Sequence, residues 1–205
     1  MTETETIHED EITKDAILEK FQMQNGNMLL WTIIFAIIGA TLYVGVSLIP
    51  MPYTMVSILK FGFLPAIVII ALVGAIRGPI AGFLAGYLGE VLYGLFVYNV
   101  IVTMTLPAIA YGILGFVVGL ATYDFNNGRS LLKLSILSVV GFVFTVLLGM
   151  VIGISIENYS TMAALAFSML PLLTMGIPTL LFLTPVVARV WYALTAKLAT
   201  IEPRE

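Results

Sequence analysis

Glu90 and Lys60 are the charged side chains that stand out in the long apolar part of the sequence. An ionisable group inside a membrane-length apolar segment is costly, so each is a functional candidate by default. Glu90 continues a four-residue period that starts at Gly78, and it should therefore face a neighbouring helix. It could be a protonated or hydrogen-bonded packing group, a pocket wall or a partner for Lys60. Lys60 could extend to the membrane surface or bind a carboxylate or phosphate of a ligand.

Tyrosine, asparagine and acidic side chains occur in the segments predicted to reach the same membrane surface as Lys60. Such groups could form an aromatic belt at the interface, or they could orient a flat, polar organic ligand by hydrogen bonds. Prolines at positions 50 and 52 restrict the loop 50–57, which we expect to act as a lid. The predicted substrate-binding residues are Lys60, Tyr53, Glu90, Tyr93, Asn99, Glu157 and Asn158.

The composition argues against several kinds of catalytic site. The chain has no cysteine, which excludes disulfides and thiol catalysis. Its single histidine, His8, lies in a polar N-terminal stretch, so an intramembrane zinc site is not expected. Neither a G-x-S-x-G nor a Walker A motif occurs. We therefore expect no enzymatic activity, no metal and no cofactor, and the net charge of −3 does not indicate a nucleic-acid partner.

Membrane-spanning helices are the elements that must position these residues. The chain is 60% hydrophobic and 10% charged, with a mean hydropathy of +1.06, whereas soluble domains are about 25% charged. A bilayer core of about 30 Å requires about 20 apolar residues per helix. The predicted fold class is an all-α integral membrane protein, a compact bundle of six transmembrane helices. The predicted spans are about 28–49, 58–76, 79–97, 102–123, 131–154 and 163–194.

The charge distribution predicts the domain limits and the orientation. Residues 1–26 hold seven of the twelve acidic residues and are expected to form a cytoplasmic tail. The transmembrane domain is expected over 27–195, followed by a cytoplasmic tail over 196–205. With the N-terminus inside, eight basic residues face the cytoplasm and Lys60 alone faces outward, as the positive-inside rule favours. Both termini are thus predicted to be cytoplasmic, in a multi-pass protein of the cell membrane.

Small residues recur at four-residue spacing in several predicted spans. Gly78, Gly82 and Gly86 share one face of the third span, which favours close packing of helices inside one bundle. Ala36 and Ala40 form a similar pair in the first span. Spacing alone favours an internal contact for this pair over a partner site.

A set of motifs resembles the substrate-binding S components of energy-coupling factor (ECF) transporters. The set comprises Lys60-Phe61-Gly62-Phe63-Leu64-Pro65, the segment from Gly78-Pro79 to Glu90, and Ala36-x-x-x-Ala40 in a six-span chain. The resemblance covers about residues 28–194. The glutamate at position 90 departs from the aspartate that is common there.

The resemblance implies a membrane subunit that captures a vitamin-like micronutrient near the outer face, with a folate-like or riboflavin-like ligand. It implies as partners a transmembrane coupling (T) subunit and, through it, ATPase subunits. It also implies that Ala36 and Ala40 form an exposed face for the coupling subunit.

Two alternatives belong to other functional classes. A structural membrane scaffold would bind only other proteins and would have no outer pocket. A small membrane enzyme acting on lipid would need a reactive group near the headgroups, and Glu90, Lys60 and Asp124 are its only candidates.

Overall fold

The computed structural model describes residues 26–56, 59–100, 105–156, 158 and 160–201. Within these ranges, three consecutive elements, Thr161–Ala163, the π-helix Ala164–Met169 and Leu170–Ile201, follow one another without a break and form one continuous helix. The described residues therefore contain six helical segments. The elements are α1 (Gly26–Ser47), β1 (Tyr53–Val56), β2 (Leu59–Gly62), α2 (Pro65–Arg77), α3 (Pro79–Tyr98), α4 (Thr105–Gly119), α5 (Gly128–Ser155), α6 (Thr161–Ala163), the π-helix (Ala164–Met169) and α7 (Leu170–Ile201).

Four of the helical segments in the described ranges are long and apolar enough to cross a membrane: α1, α3, α5 and Thr161–Ala196. Helices α2 and α4 are apolar but shorter, with 13 and 15 residues. At 1.5 Å per residue each covers only about 20 Å, less than a bilayer core. The predicted α-helical membrane class is confirmed.

The second predicted span is wrong at its N-terminal end. Helix was expected over 58–76, but the described residues 53–56 and 59–62 form an antiparallel hairpin in which Met55 lies opposite Lys60. Tyrosine, threonine, valine and phenylalanine favour such extended structure. Helix α2 begins only at Pro65, in the first turn, where the absence of an N–H group costs no hydrogen bond.

Two hydrogen bonds attach this hairpin and the residues after it to α7. The hydroxyl of Thr174 donates to the carbonyl oxygen of Lys60 at 2.5 Å. The backbone N–H of Leu64 donates to the hydroxyl of Thr179 at 2.9 Å. The hairpin is therefore held against the last helix by side chains that lie more than 100 residues away in sequence.

Helices α3 and α4 pack with their backbones in contact along a glycine seam, formed by Gly82, Gly86, Gly115 and Gly119. A Cβ atom on Gly82 would overlap the carbonyl of Gly115, and the reverse also holds. A Cβ on Gly86 would overlap the carbonyl of Tyr111. The prediction that these glycines serve close packing inside the bundle is confirmed for Gly82 and Gly86.

The expected exposure of Ala36 and Ala40 is wrong. Each is only 1% exposed. Gly39, on the same face of α1, lies against Val73 of α2 and Ala85 of α3. This small-residue face is already occupied by neighbouring helices, because it allows α1 to approach them closely. It leaves no exposed surface at these alanines for a coupling subunit.

The basic side chains of the helix ends gather at one end of the bundle. Arg77 ends α2 and packs on the ring of Phe35, 5.7 Å from its centroid. Arg189 donates to the carbonyl oxygen of Asn126 at 3.1 Å, and Lys133 donates to that of Thr122 at 3.4 Å. The hairpin lies at the other end, since it precedes the N-terminus of α2.

Candidate ligand-binding site

Two adjoining cavities lie at the hairpin end of the bundle. The α5-side cavity, of about 290 Å³, is bounded by α3, α4, α5, the π-helix and α7. The hairpin-side cavity, of about 420 Å³, is bounded by α1, the hairpin and its flanking loops, α2, α3, α4 and α7. Glu90, Tyr111 and Leu172 line both cavities. The two spaces therefore meet at these three side chains and can be treated as one site.

Glu90 stands at the junction and is held there by Tyr43. The phenol of Tyr43, a residue that is 5% exposed, donates to Oε2 of Glu90 at 2.5 Å. Gly89 makes room for this contact, because a Cβ there would lie 2.8 Å from the Tyr43 ring. The sequence prediction that Glu90 faces a neighbouring helix is confirmed. Among the described residues, Tyr43 is the one seen to bond this carboxyl group, through Oε2.

Aromatic rings surround this carboxyl group. The rings of Tyr43 and Tyr111 lie 6.2 Å apart at 59°, and those of Tyr93 and Tyr98 lie 6.0 Å apart, edge to face. Tyr43, Tyr93 and Tyr111 line the hairpin-side cavity. Such rings offer flat apolar faces together with hydroxyl groups.

Tyr53 and Lys60 meet on one face of the hairpin. Tyr53 lines the hairpin-side cavity, and the Nζ atom of Lys60 lies 5.1 Å from the centroid of its ring. This is a cation–π distance. Lys60 itself is not among the cavity-lining residues. Within the described chain it forms no ion pair with Glu90, so that alternative is wrong.

Asn99 and Asn158 do not reach the cavities. Both are exposed and adopt a left-handed backbone, with φ of 54° and 56°. Asn99 ends α3, where its N–H bonds the carbonyl oxygen of Leu95 at 3.1 Å. Asparagine tolerates this conformation better than most residues, which explains its place here. Glu157, also predicted to bind substrate, lies outside the described residues.

The predicted lid loop forms part of a cavity wall. Pro50 and Met51 line the hairpin-side cavity, as do Phe63 and Leu64 on the other side of the hairpin. Ser57, the last residue of the predicted lid, lies outside the described residues. Tyr53, Glu90 and Tyr93 are thus the predicted site residues that the structure brings together.

Sequence reasoning missed the contributions of α4, α5 and α7 to the site. Tyr111, Thr145, Ser168 and Leu172 all line it. A tyrosine inside an apolar span was the available signal for Tyr111. The hydroxyl of Thr145 donates to Ala110 and Gly141 carbonyl oxygens, at 2.8 and 3.0 Å, and so fixes the cavity wall.

Few charged residues line the two cavities. Among the described residues, Glu90 is the only charged one that lines them, and no described lysine, arginine or histidine lines either cavity. Within the described ranges, no group of three metal-ligating side chains occurs.

A bundle of apolar helices with a tyrosine-lined cavity of ligand size at one end defines a membrane-embedded protein that binds small molecules. Residues 26–199 match the model of a family described as the ECF-type riboflavin transporter, S component. The chain belongs to that family, and it is a subunit of a vitamin transporter and not an enzyme. Comparison with curated proteins and with solved structures gave no match.

Proposed function

We propose that this chain captures riboflavin, or a similar flat heterocycle, in the two cavities that meet at Glu90. The observation that carries the proposal is the junction itself: one carboxyl group and one tyrosine ring are shared by both spaces, in a chain whose family is described by riboflavin transport. Riboflavin combines a flat ring system with a hydroxylated chain, and two joined cavities suit two such parts.

The chemistry of the cavity walls supports a riboflavin-like over a folate-like ligand. The rings of Tyr93 and Tyr111 provide stacking surfaces, and Oε1 of Glu90 can accept a hydrogen bond from an N–H or O–H group of the ligand. Folate carries carboxylates, which would need cationic partners when buried. The described residues that line the two cavities offer no cationic partner.

The cavities face the outside of the cell in this proposal. Arg77, Lys133 and Arg189 lie at the opposite end of the bundle, and basic residues favour the cytoplasmic side. Reporter fusions at Asn127 and Asn158 test this orientation, and we expect them to report opposite sides with Asn127 inside. Fusions that report the same side would contradict it.

Delivery of the bound molecule would require a T subunit and ATPases, as family membership implies. The chain carries no nucleotide-binding motif of its own. Since Ala36 and Ala40 are buried, a coupling subunit would contact other surfaces of the bundle.

Two glycine variants test the binding site. Gly149 lines the α5-side cavity, and a Cβ added there would meet nothing within 4 Å. Gly45, exposed on α1, has equally free space but lines neither cavity. We expect Gly149→Leu to fold normally and to weaken riboflavin binding about 10- to 100-fold, because its side chain occupies ligand space. Gly45→Leu should bind as the unmodified protein does.

The measurement is isothermal titration calorimetry on the purified proteins in detergent, together with thermal unfolding. Riboflavin at 100 times its dissociation constant should stabilise the unmodified protein by about 2.7 kcal/mol. No heat of binding and no stabilisation by riboflavin would contradict the proposed function. Equal binding by both variants would place the site elsewhere.

A further inference from the structure

Among the described residues, the lining of the two cavities has one acidic group and no basic group. Every basic side chain that the structure describes lies outside their lining. Lys60 comes nearest, but its ammonium group rests on the ring of Tyr53, and its backbone carbonyl is bonded to Thr174. The other described basic groups of known placement belong to the opposite end of the bundle.

Glu90 cannot easily turn away from a ligand. Tyr43 fixes one of its carboxyl oxygens at 2.5 Å, and the Tyr43 ring is itself wedged beside Gly89. Because Glu90 lines both cavities, a ligand that occupies either one meets the same carboxyl group. Its Oε1 atom is an acceptor, so it attracts ligand N–H and O–H groups and disfavours an anionic group at the same place.

We propose that Glu90, oriented by Tyr43, is a specificity-determining residue that admits the uncharged vitamin and rejects its phosphorylated form. This inference rests on the proposed function. A phosphate ester adds up to two negative charges, and burial of these charges without a cationic partner is unfavourable. When ionised, the carboxyl group of Glu90 adds like-charge repulsion. The cavity therefore distinguishes the ligands by charge, although they share the same ring system.

The test compares riboflavin with riboflavin 5′-phosphate by calorimetry on the purified protein. We expect the phosphate ester to bind at least about 100-fold more weakly. Glu90→Gln keeps the size of the side chain and removes its charge. In this variant the ratio of riboflavin affinity to phosphate-ester affinity should narrow to about tenfold or less. Asp124→Asn removes the same charge at the opposite end of the bundle, where Asp124 accepts a hydrogen bond from Asn126, and it should leave the ratio unchanged.

A second variant keeps the inference testable if Glu90→Gln does not fold. Ser168 is exposed and lines the α5-side cavity, so Ser168→Lys places a cation beside the site. We expect Ser168→Lys to narrow the ratio of riboflavin affinity to phosphate-ester affinity, and an unchanged ratio in the folded variant would overturn selection by charge.

The outcomes separate the inference from the proposed function. Equal affinity of the unmodified protein for both compounds would overturn charge selection and leave riboflavin capture standing. An unchanged ratio in a folded Glu90→Gln protein would overturn the role of Glu90. Binding of neither compound would overturn the proposed function, and the inference with it.

Discussion

Helices α3 and α4 touch at one end of the bundle and separate at the other. At the basic end, Gly119 meets Pro79 and Gly115 meets Gly82, backbone against backbone. One turn beyond the Gly86–Tyr111 contact, Glu90 and Pro107 line a cavity instead. The same pair of helices thus provides both direct backbone contact and part of a cavity wall.

The contrast shows how residue size sets helix spacing in a membrane protein. Lipid gives helices little hydrophobic reason to associate, so close van der Waals contact must hold them together, and glycine permits it. At the open end, Tyr43 reaches across from α1 and bonds Glu90. The glycine contacts between α3 and α4 stabilise the closed end of the bundle. At the open end, the Tyr43–Glu90 hydrogen bond connects α1 and α3 beside the cavity.

The largest expected effect comes from breaking the closed end. A side chain on Gly82 would meet backbone atoms of Gly115, which cannot rotate away. We expect Gly82→Leu to lower the free energy of unfolding by more than about 3 kcal/mol, at or beyond the upper range for overpacked cores. Size-exclusion chromatography and thermal unfolding in detergent provide the measurement. Gly45→Leu is the control, and equal melting temperatures for both variants would disprove the glycine seam.

A smaller effect should follow from removing the link at the open end. Tyr43→Phe deletes the hydroxyl that donates to Glu90, and hydrogen bonds to charged groups contribute about 1.5–3 kcal/mol. We expect the free energy of unfolding to fall by that amount, measured by thermal unfolding. Tyr192→Phe, at an exposed position of α7, should have little effect. If both variants unfold alike, the Tyr43–Glu90 bond does not support the open end.

The attachment of the hairpin can be tested separately from the helices. Thr174→Val removes the hydroxyl that donates to the Lys60 carbonyl, a bond of about 1 kcal/mol. We expect about fivefold weaker riboflavin binding by calorimetry, because the hairpin-side wall loses an anchor. Thr195→Val, which affects a hydroxyl bonded within α7 itself, should bind normally. Unchanged riboflavin affinity in Thr174→Val would show that this attachment of the hairpin does not contribute to ligand binding.

The smallest expected effect concerns Lys60. Its ammonium group packs on Tyr53 at 5.1 Å, and Lys133 packs on Tyr123 at 5.6 Å at the opposite end. An exposed cation–π contact contributes about 0.5 kcal/mol, so Lys60→Ala should weaken riboflavin binding only two- to threefold. Lys133→Ala should not change it. A loss above about tenfold in Lys60→Ala would show direct contact between Lys60 and the ligand.

Periodicity predicted the parts of the fold that depend on one helix at a time. The four-residue spacing from Gly78 to Glu90 correctly placed the glycines and the carboxyl group toward neighbouring helices. That spacing is a property of the α-helix itself. It could be read without knowledge of which helix lay opposite.

The parts that depend on distant segments could not be read in this way. The second strand of the hairpin falls in the predicted helix 58–76 because its residues continue the apolar run, and the first strand falls in the predicted lid loop. The side chains that anchor this region, Thr174 and Thr179, lie far away in sequence. Tyr111 joins the site only because α4 packs beside α3. The exposure of Ala36 was misjudged because spacing identifies a contact face and not its occupant.

The glycine seam has a consequence for motion. Where Gly82 and Gly115 bring the two backbones together, neither residue has a side chain that could repack, so we expect α3 and α4 to move as one rigid body. Any change in cavity volume must then come from the other walls. Those other walls include the hairpin, which Thr174 anchors, and the π-helical turn of Ala164 and Ser168, a helix type that is frequent at functional sites.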